Sequence, residues 1–266
     1  MGKADILKAP SFLAEMGLDA MEYEAVRGVN IKEDKARKFG SEAKRHGIVL
    51  SLHAPYFINL ASKKKDVIDA SIRRLVDSLK AAEWMNAYIV VFHPGYYKDY
   101  GEKESVAKTI DALKKVLEKA DRIGIRKPVL GPETTGKTSQ VGSIEDVISI
   151  CSALPRCKPT IDWAHIYARS LGKLVVSKDD VRKIIDIVEK NLGSDSIRPL
   201  HTHFSTIEYG KGGELRHHTL SEPYGPDWRM ICSVYKELGI DAVIISESPV
   251  LEQDAVIMKK ICQGEL

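Results

Sequence analysis

The chain has 266 residues and a formal net charge of +3, and it is 44% hydrophobic, 29% charged and 7% aromatic. That composition supports a sizeable buried core and excludes disordered, collagenous and low-complexity classes. The most apolar run, residues 87–92, is far shorter than the ~18 residues of a membrane helix, and the start lacks an apolar leader, so a cytoplasmic protein with no membrane partner is expected.

In chain order, residues 4–16 read as a helix with an early proline, and nothing before residue 20 reads as a strand. Short apolar runs then follow at 20–26, 48–53, 87–93, 128–133, 159–162, 200–204 and 242–247. Between them lie charged stretches at 64–84, 104–122, 143–152, 178–191 and 227–238, with apolar residues at three- and four-residue steps. Strands alternating with helices of this length imply parallel strands joined by crossovers, in an open sheet or a closed barrel. No linker or composition shift interrupts the pattern, so residues 1–266 read as one domain.

Nearly every run ends in a residue able to bind a metal: His53, His93, Glu133, Asp162, His201 and Glu247, spaced by 40, 40, 29, 39 and 46. Each spacing fits one strand–helix unit, which would bring these side chains to the same C-terminal rim, where the active sites of (β/α)8 barrels lie. An open sheet would spread them along a line. The expected fold is therefore an α/β (β/α)8 TIM barrel, and with seven strands counted it lacks its first strand in this chain.

Seven of the eight histidines sit beside these strand ends or their loops, and only His46 falls in a helix. Independent structural histidines would scatter, so the clustering favours ligands. Mixed imidazole and carboxylate ligation suits zinc, manganese or iron better than magnesium or calcium. With carboxylates free to bridge paired ions, phosphodiester hydrolysis is the natural chemistry. The four cysteines lack zinc-ribbon or redox spacing and read as buried thiols. The stretch from Gly131 to Thr138 matches the P-loop pattern letter for letter. However, Gln140, Gly142 and Ser143 delay the next helix, and Glu133 would repel phosphates, so nucleotide binding is not expected.

Five motifs together resemble the endonuclease IV family, the metal-dependent apurinic/apyrimidinic (AP) endonucleases on the xylose isomerase-like barrel. They are Leu52-His53-Ala54-Pro55-Tyr56-Phe57-Ile58-Asn59-Leu60, Phe92-His93-Pro94-Gly95, Pro132-Glu133-Thr134-Thr135-Gly136, Ile161-Asp162-Trp163-Ala164-His165 and His217-His218-Thr219-Leu220. The resemblance implies two or three zinc ions, with manganese as the alternative. One would sit on His53, His93 and bridging Glu133, a second on Glu133, Asp162, His201 and Glu247, and a third on His165 and His217. It further implies Glu133 as the catalytic residue, abasic DNA as the partner with no obligatory protein partner, and Tyr56 and Phe57 as residues that enter the base stack.

One position departs from the family. The aspartate expected two residues before His217 is Leu215, and Glu214 could serve only if the Gly212-Gly213 loop is remodelled. Lys63, Lys64, Lys65, Lys98, Lys137, Arg169, Lys211 and Arg27 are candidate phosphate contacts. The main rival is a sugar isomerase or epimerase on the same barrel, which shares Glu133, Asp162, His201 and Glu247 around one divalent ion. The extra set His53, His93, His165 and His217 separates the two. A barrel that only binds metal or sugar phosphate has no feature of its own in its favour.

Overall fold

Ala4, the start of the first expected helix, lies outside the residues described by the computed structural model, 5–266. The rest of that segment is a 3-10 turn, Ile6–Lys8, followed by α1 (Ala9–Glu15). Pro10 stands in the first turn of α1, where its missing N–H leaves no helical bond unmade. Among the described residues no strand precedes β1 (Ala20–Glu24). The chain divides into two units: one runs to Gly131 and includes Leu154–Cys157, the other comprises Pro132–Ala153 and Lys158–Leu266.

The first unit alternates β1, α2 (Glu33–Arg45), β2 (Val49–His53), α3 (Lys65–Met85), β3 (Ile89–Phe92), the short β4 (Gly95–Tyr96), α4 (Glu102–Arg122) and β5 (Val129–Pro132). Its sheet runs β1-β2-β3-β5, with β1–β2 and β2–β3 parallel. The strand positions agree with the apolar runs, trimmed by one to three residues at their ends. Helix α2 was not anticipated, because its buried face is only Ala36, Phe39, Gly40 and Ala43 among many charges.

The second unit holds β6 (Gln140–Val141), α5 (Ile144–Ser152), β7 (Thr160–Asp162), α6 (Trp163–Arg169), α7 (Lys178–Leu192), β8 (Leu200–Phe204), β9 (Thr206–Gly210), β10 (Gly213–His218), α8 (Trp228–Leu238), β11 (Ala242–Ser246) and α9 (Glu252–Gln263). Strands β11-β8-β7 form a parallel sheet, and β9 and β10 form an antiparallel hairpin with a bulge between Glu214 and Arg216. Helix α5 starts with a capping box in which Ser143 and Asp146 satisfy each other's backbone N–H groups. The core gathers Ile161, Trp163, Ile184, Phe204, Trp228 and Tyr235, and the Trp163 indole N–H donates to the Tyr235 hydroxyl at 2.7 Å.

The cysteine expectation needs correcting. Cys232 on α8 and Cys262 on α9 form a disulfide across 30 residues, while Cys151 and Cys157 remain outside disulfides. Sequence spacing could not show this, because two helices separated by a strand meet only through packing. Closing a loop of this length stabilises by about 3–4 kcal/mol. Reduction is expected to lower Tm by about 10 °C, measured by thermal scans with and without dithiothreitol. An unchanged Tm would show that the bond adds nothing.

Candidate metal centre

In the first unit the strand ends deliver two imidazoles. His53 closes β2 and His93 follows β3, and their rings meet edge-on with centroids 5.5 Å apart. His53 Nδ1 lies 2.8 Å from the Ala54 carbonyl oxygen. A carbonyl can only accept, so the proton sits on Nδ1 and Nε2 keeps the lone pair that a metal needs. The Tyr56 ring stands 5.8 Å from His53 and 6.4 Å from His93. Tyr56 and Phe57 are 55% and 64% exposed, so they do not bury themselves against the following helix.

In the second unit the acidic residues converge. Glu133 follows β5, Asp162 ends β7, His203 lies near the end of β8 and Glu247 follows β11; one ligand atom from each lies within 4.8 Å of the others. His203 Nδ1 is 3.0 Å from Glu247 Oε1 and 3.4 Å from Glu133 Oε1. Asp162 has two tasks: Oδ1 caps α6 by accepting from the His165 N–H at 2.6 Å, while Oδ2 is buried with no hydrogen-bond donor among the described residues.

Beside this group lie His165, His217 and Glu247, again within mutual reach. The His165 and His217 rings meet at 5.3 Å, and both Nε2 atoms face Glu214, at 3.7 and 3.8 Å. His165 Nδ1 faces the Thr134 carbonyl at 3.0 Å, and His217 Nδ1 faces the Ser205 hydroxyl at 2.7 Å. Each ring is thus oriented through Nδ1 and presents Nε2 to the same carboxylate.

Several sequence expectations change here. His203, not His201, joins Glu133, Asp162 and Glu247. The register pairs His203 with Asp162, whereas His201 pairs with Thr160, two residues or about 6.6 Å further back along the strand. The signal was present, since alternate positions of one strand share a face, but choosing between them required the register. Leu215 is 62% exposed and takes no part, whereas Glu214 turns towards His165 and His217. Arg169 is not poised for phosphate, because its guanidinium is held by backbone carbonyls of residues 137 and 140. The P-loop-like stretch begins no helix at Gly136; Lys137 pairs with Gly213, and α5 starts at Ile144.

The donor set fits divalent cations. Burial drives Asp162 up to about 7, helped by Glu247 and Glu133 and opposed by His165. Burial works against charge on His165 too, yet Asp162, Glu133 and Glu214 outweigh it and hold the imidazole well above its ordinary range. Burial likewise opposes the Glu247 carboxylate, but His203 holds it down at about 2. Converging carboxylates in a desolvated cluster repel one another, and a cation among them removes that cost. A divalent cation held here would have to displace the protons that Asp162 and His165 retain, so its binding would strengthen as they titrate off. The Tm increase caused by zinc is expected to grow from about pH 5 to about pH 8. Thermal scans at matched zinc would check this, and a constant increase would contradict it.

The family model for the xylose isomerase-like TIM barrel matches residues 10–260. A protein of Methanocaldococcus jannaschii described as uncharacterized is 38% identical over 264 residues, covering 98% of this chain and 93% of its own length. A probable endonuclease 4 of Petrotoga mobilis is 24% identical over 218 residues, 79% of this chain and 74% of that protein. Among solved structures, endonuclease IV from Thermus thermophilus superposes with a TM-score of 0.77 at 21% identity, covering 99% of this chain and 96% of that one. A D-tagatose 3-epimerase-like protein reaches 0.72 at 20% identity over 96% and 90%. At these identities the two structures establish the fold and nothing finer. Parallel strands ending in metal-type donors thus agree with a family match spanning nearly the whole chain, which belongs to the AP endonuclease 2 family of xylose isomerase-like TIM barrels.

Proposed function

We propose that this chain is a metal-dependent phosphodiester hydrolase that incises DNA at abasic sites. The proposed donors are His53, His93, Glu133, Asp162, His165, His203, His217 and Glu247, with Glu214 taking the place of the missing aspartate, and the cofactor is two or three zinc ions. The observation that carries the reading is the second cluster. Glu133, Asp162, His203 and Glu247 would suffice for a single-ion sugar epimerase, whereas His165 and His217, aimed jointly at Glu214, have no use in one. The probable endonuclease 4 relatives point the same way.

Bound zinc would activate water and neutralise charge developing at phosphorus. The chain's own contribution is to orient and to shield. Asp162 ties the donor cluster to the N-terminus of α6, so His165 is placed by the same carboxylate whose other oxygen faces the cluster. Glu133 Oε1, 3.0 Å from His165 Nδ1 and 3.4 Å from His203 Nδ1, sits between the two donor groups, which suits a bridging and catalytic role. Tyr56 and Phe57, exposed beside His53, would wedge into the base stack where the abasic nucleotide leaves it. No helix among the described residues is long and apolar enough to cross a membrane.

Elemental analysis combined with cleavage of an abasic duplex tests the reading. The expected result is two or three zinc per chain, with incision that is lost on chelation and restored by zinc. One manganese per chain with epimerisation of a ketose, and no incision, would transfer the chain to the sugar-epimerase class.

A further inference from the structure

Arg169 lies one helical turn after His165, on the same face of α6. Its Nη1 is 2.5 Å from the Lys137 carbonyl oxygen, 3.1 Å from that of Gln140, 3.3 Å from Thr135 Oγ1 and 3.5 Å from the Thr135 carbonyl oxygen. All of these acceptors belong to the stretch that runs from Thr135 to Gln140, the first residue of β6. Converging oxygens need a donor among them, and here one nitrogen, Nη1, shares its two hydrogens among the four acceptors in directions that the planar guanidinium fixes.

The same stretch grips the tip of the β9–β10 hairpin. The Glu214 N–H donates to the Gly136 carbonyl at 3.0 Å, and the Thr138 N–H donates to that of Gly212 at 3.1 Å. The approach leaves no room for side chains. At Gly213, with φ +94°, a Cβ would lie 2.1 Å from the Gly136 carbonyl oxygen, and a Cβ on Gly136 would lie 2.6 Å from Glu214 Cβ and 2.7 Å from its Oε2. The Glu214 side chain therefore rests directly on the backbone that Arg169 holds.

We propose that Arg169 is a positioning residue: it fixes the 135–140 loop against the hairpin tip and so seats Glu214 between His165 and His217. This arrangement answers the Leu215 departure, because a glutamate one position earlier reaches the two imidazoles only if the hairpin tip is held down. The part concerning zinc rests on the function proposed above; the seating of the hairpin does not.

Hydrogen exchange of the intact protein separates the two. In Arg169→Gln the Glu214 and Thr138 amides should exchange at least about tenfold faster than in the parent, while the amides of α8 stay unchanged. Arg169→Gln and Glu214→Gln should each weaken the most loosely held zinc by about 10- to 100-fold in chelator competition. The double variant should lose no more than Glu214→Gln alone, and Arg169→Lys should recover only part of the affinity. Native exchange at both amides in Arg169→Gln overturns the proposal, as does a double variant whose losses add. A parent chain that binds no zinc would sink the function reading instead and leave the exchange result to decide the role of Arg169.

Discussion

Glu133→Gln should reduce phosphodiester cleavage at least about a thousandfold, because the substitution removes the carboxylate that faces both His165 and His203, and such ligands supply several kcal/mol of transition-state stabilisation. The fold should survive. Glu133 is buried beside Asp162 and Glu247, and both acids gain from losing its charge. The zinc-free variant is expected to melt close to the parent's Tm, because the relief of Asp162 and Glu247 is offset by the loss of the carboxylate beside the His165 imidazole, a separation of activity from stability that a folding defect cannot mimic. Steady-state rates on an abasic duplex and a thermal scan of the zinc-free protein check both halves. Activity within tenfold of the parent would remove Glu133 from the chemistry.

His203→Ala and His201→Ala should differ sharply although they are neighbours on one strand. His203 Nδ1 lies 3.0 Å from Glu247 and shares the cluster with Asp162, so its loss is expected to remove an ion and about a thousandfold of the rate. His201 pairs with Thr160, deeper along β8, and His201→Ala should keep the zinc content of the parent. Zinc per chain measured on both variants decides it, and the reverse ranking would restore the ligand set expected from sequence alone.

Much of this centre was legible without coordinates because the relevant signals are local. A strand ending in His53 or Glu133 followed by an amphipathic helix is written in consecutive residues, and the recurrence of donors at such strand ends favoured the barrel over an open sheet. Helix α5 begins at Ile144, within one residue of the expected 143–152 stretch, and the Ser143–Asp146 capping box that starts it is a contact within four residues. The helices that escaped notice, α2, α6 and α9, have narrow apolar faces or are short, so periodicity was weak. The hairpin β9–β10 was missed because its strands are mixed polar segments whose partner is each other.

By itself the sequence determined the strand and helix alternation, the donor types and the strand ends that carry them, since these depend on hydrophobic period and side-chain chemistry. Only the tertiary structure decided which of two alternating histidines stands level with Asp162, that Glu214 faces His165 and His217 while Leu215 turns to solvent, that Arg169 faces carbonyls rather than phosphate, and that Cys232 meets Cys262. Each of these depends on strand register or on the approach of segments roughly 30 to 80 residues apart, a distance over which neighbouring residues in the chain exert no steric control.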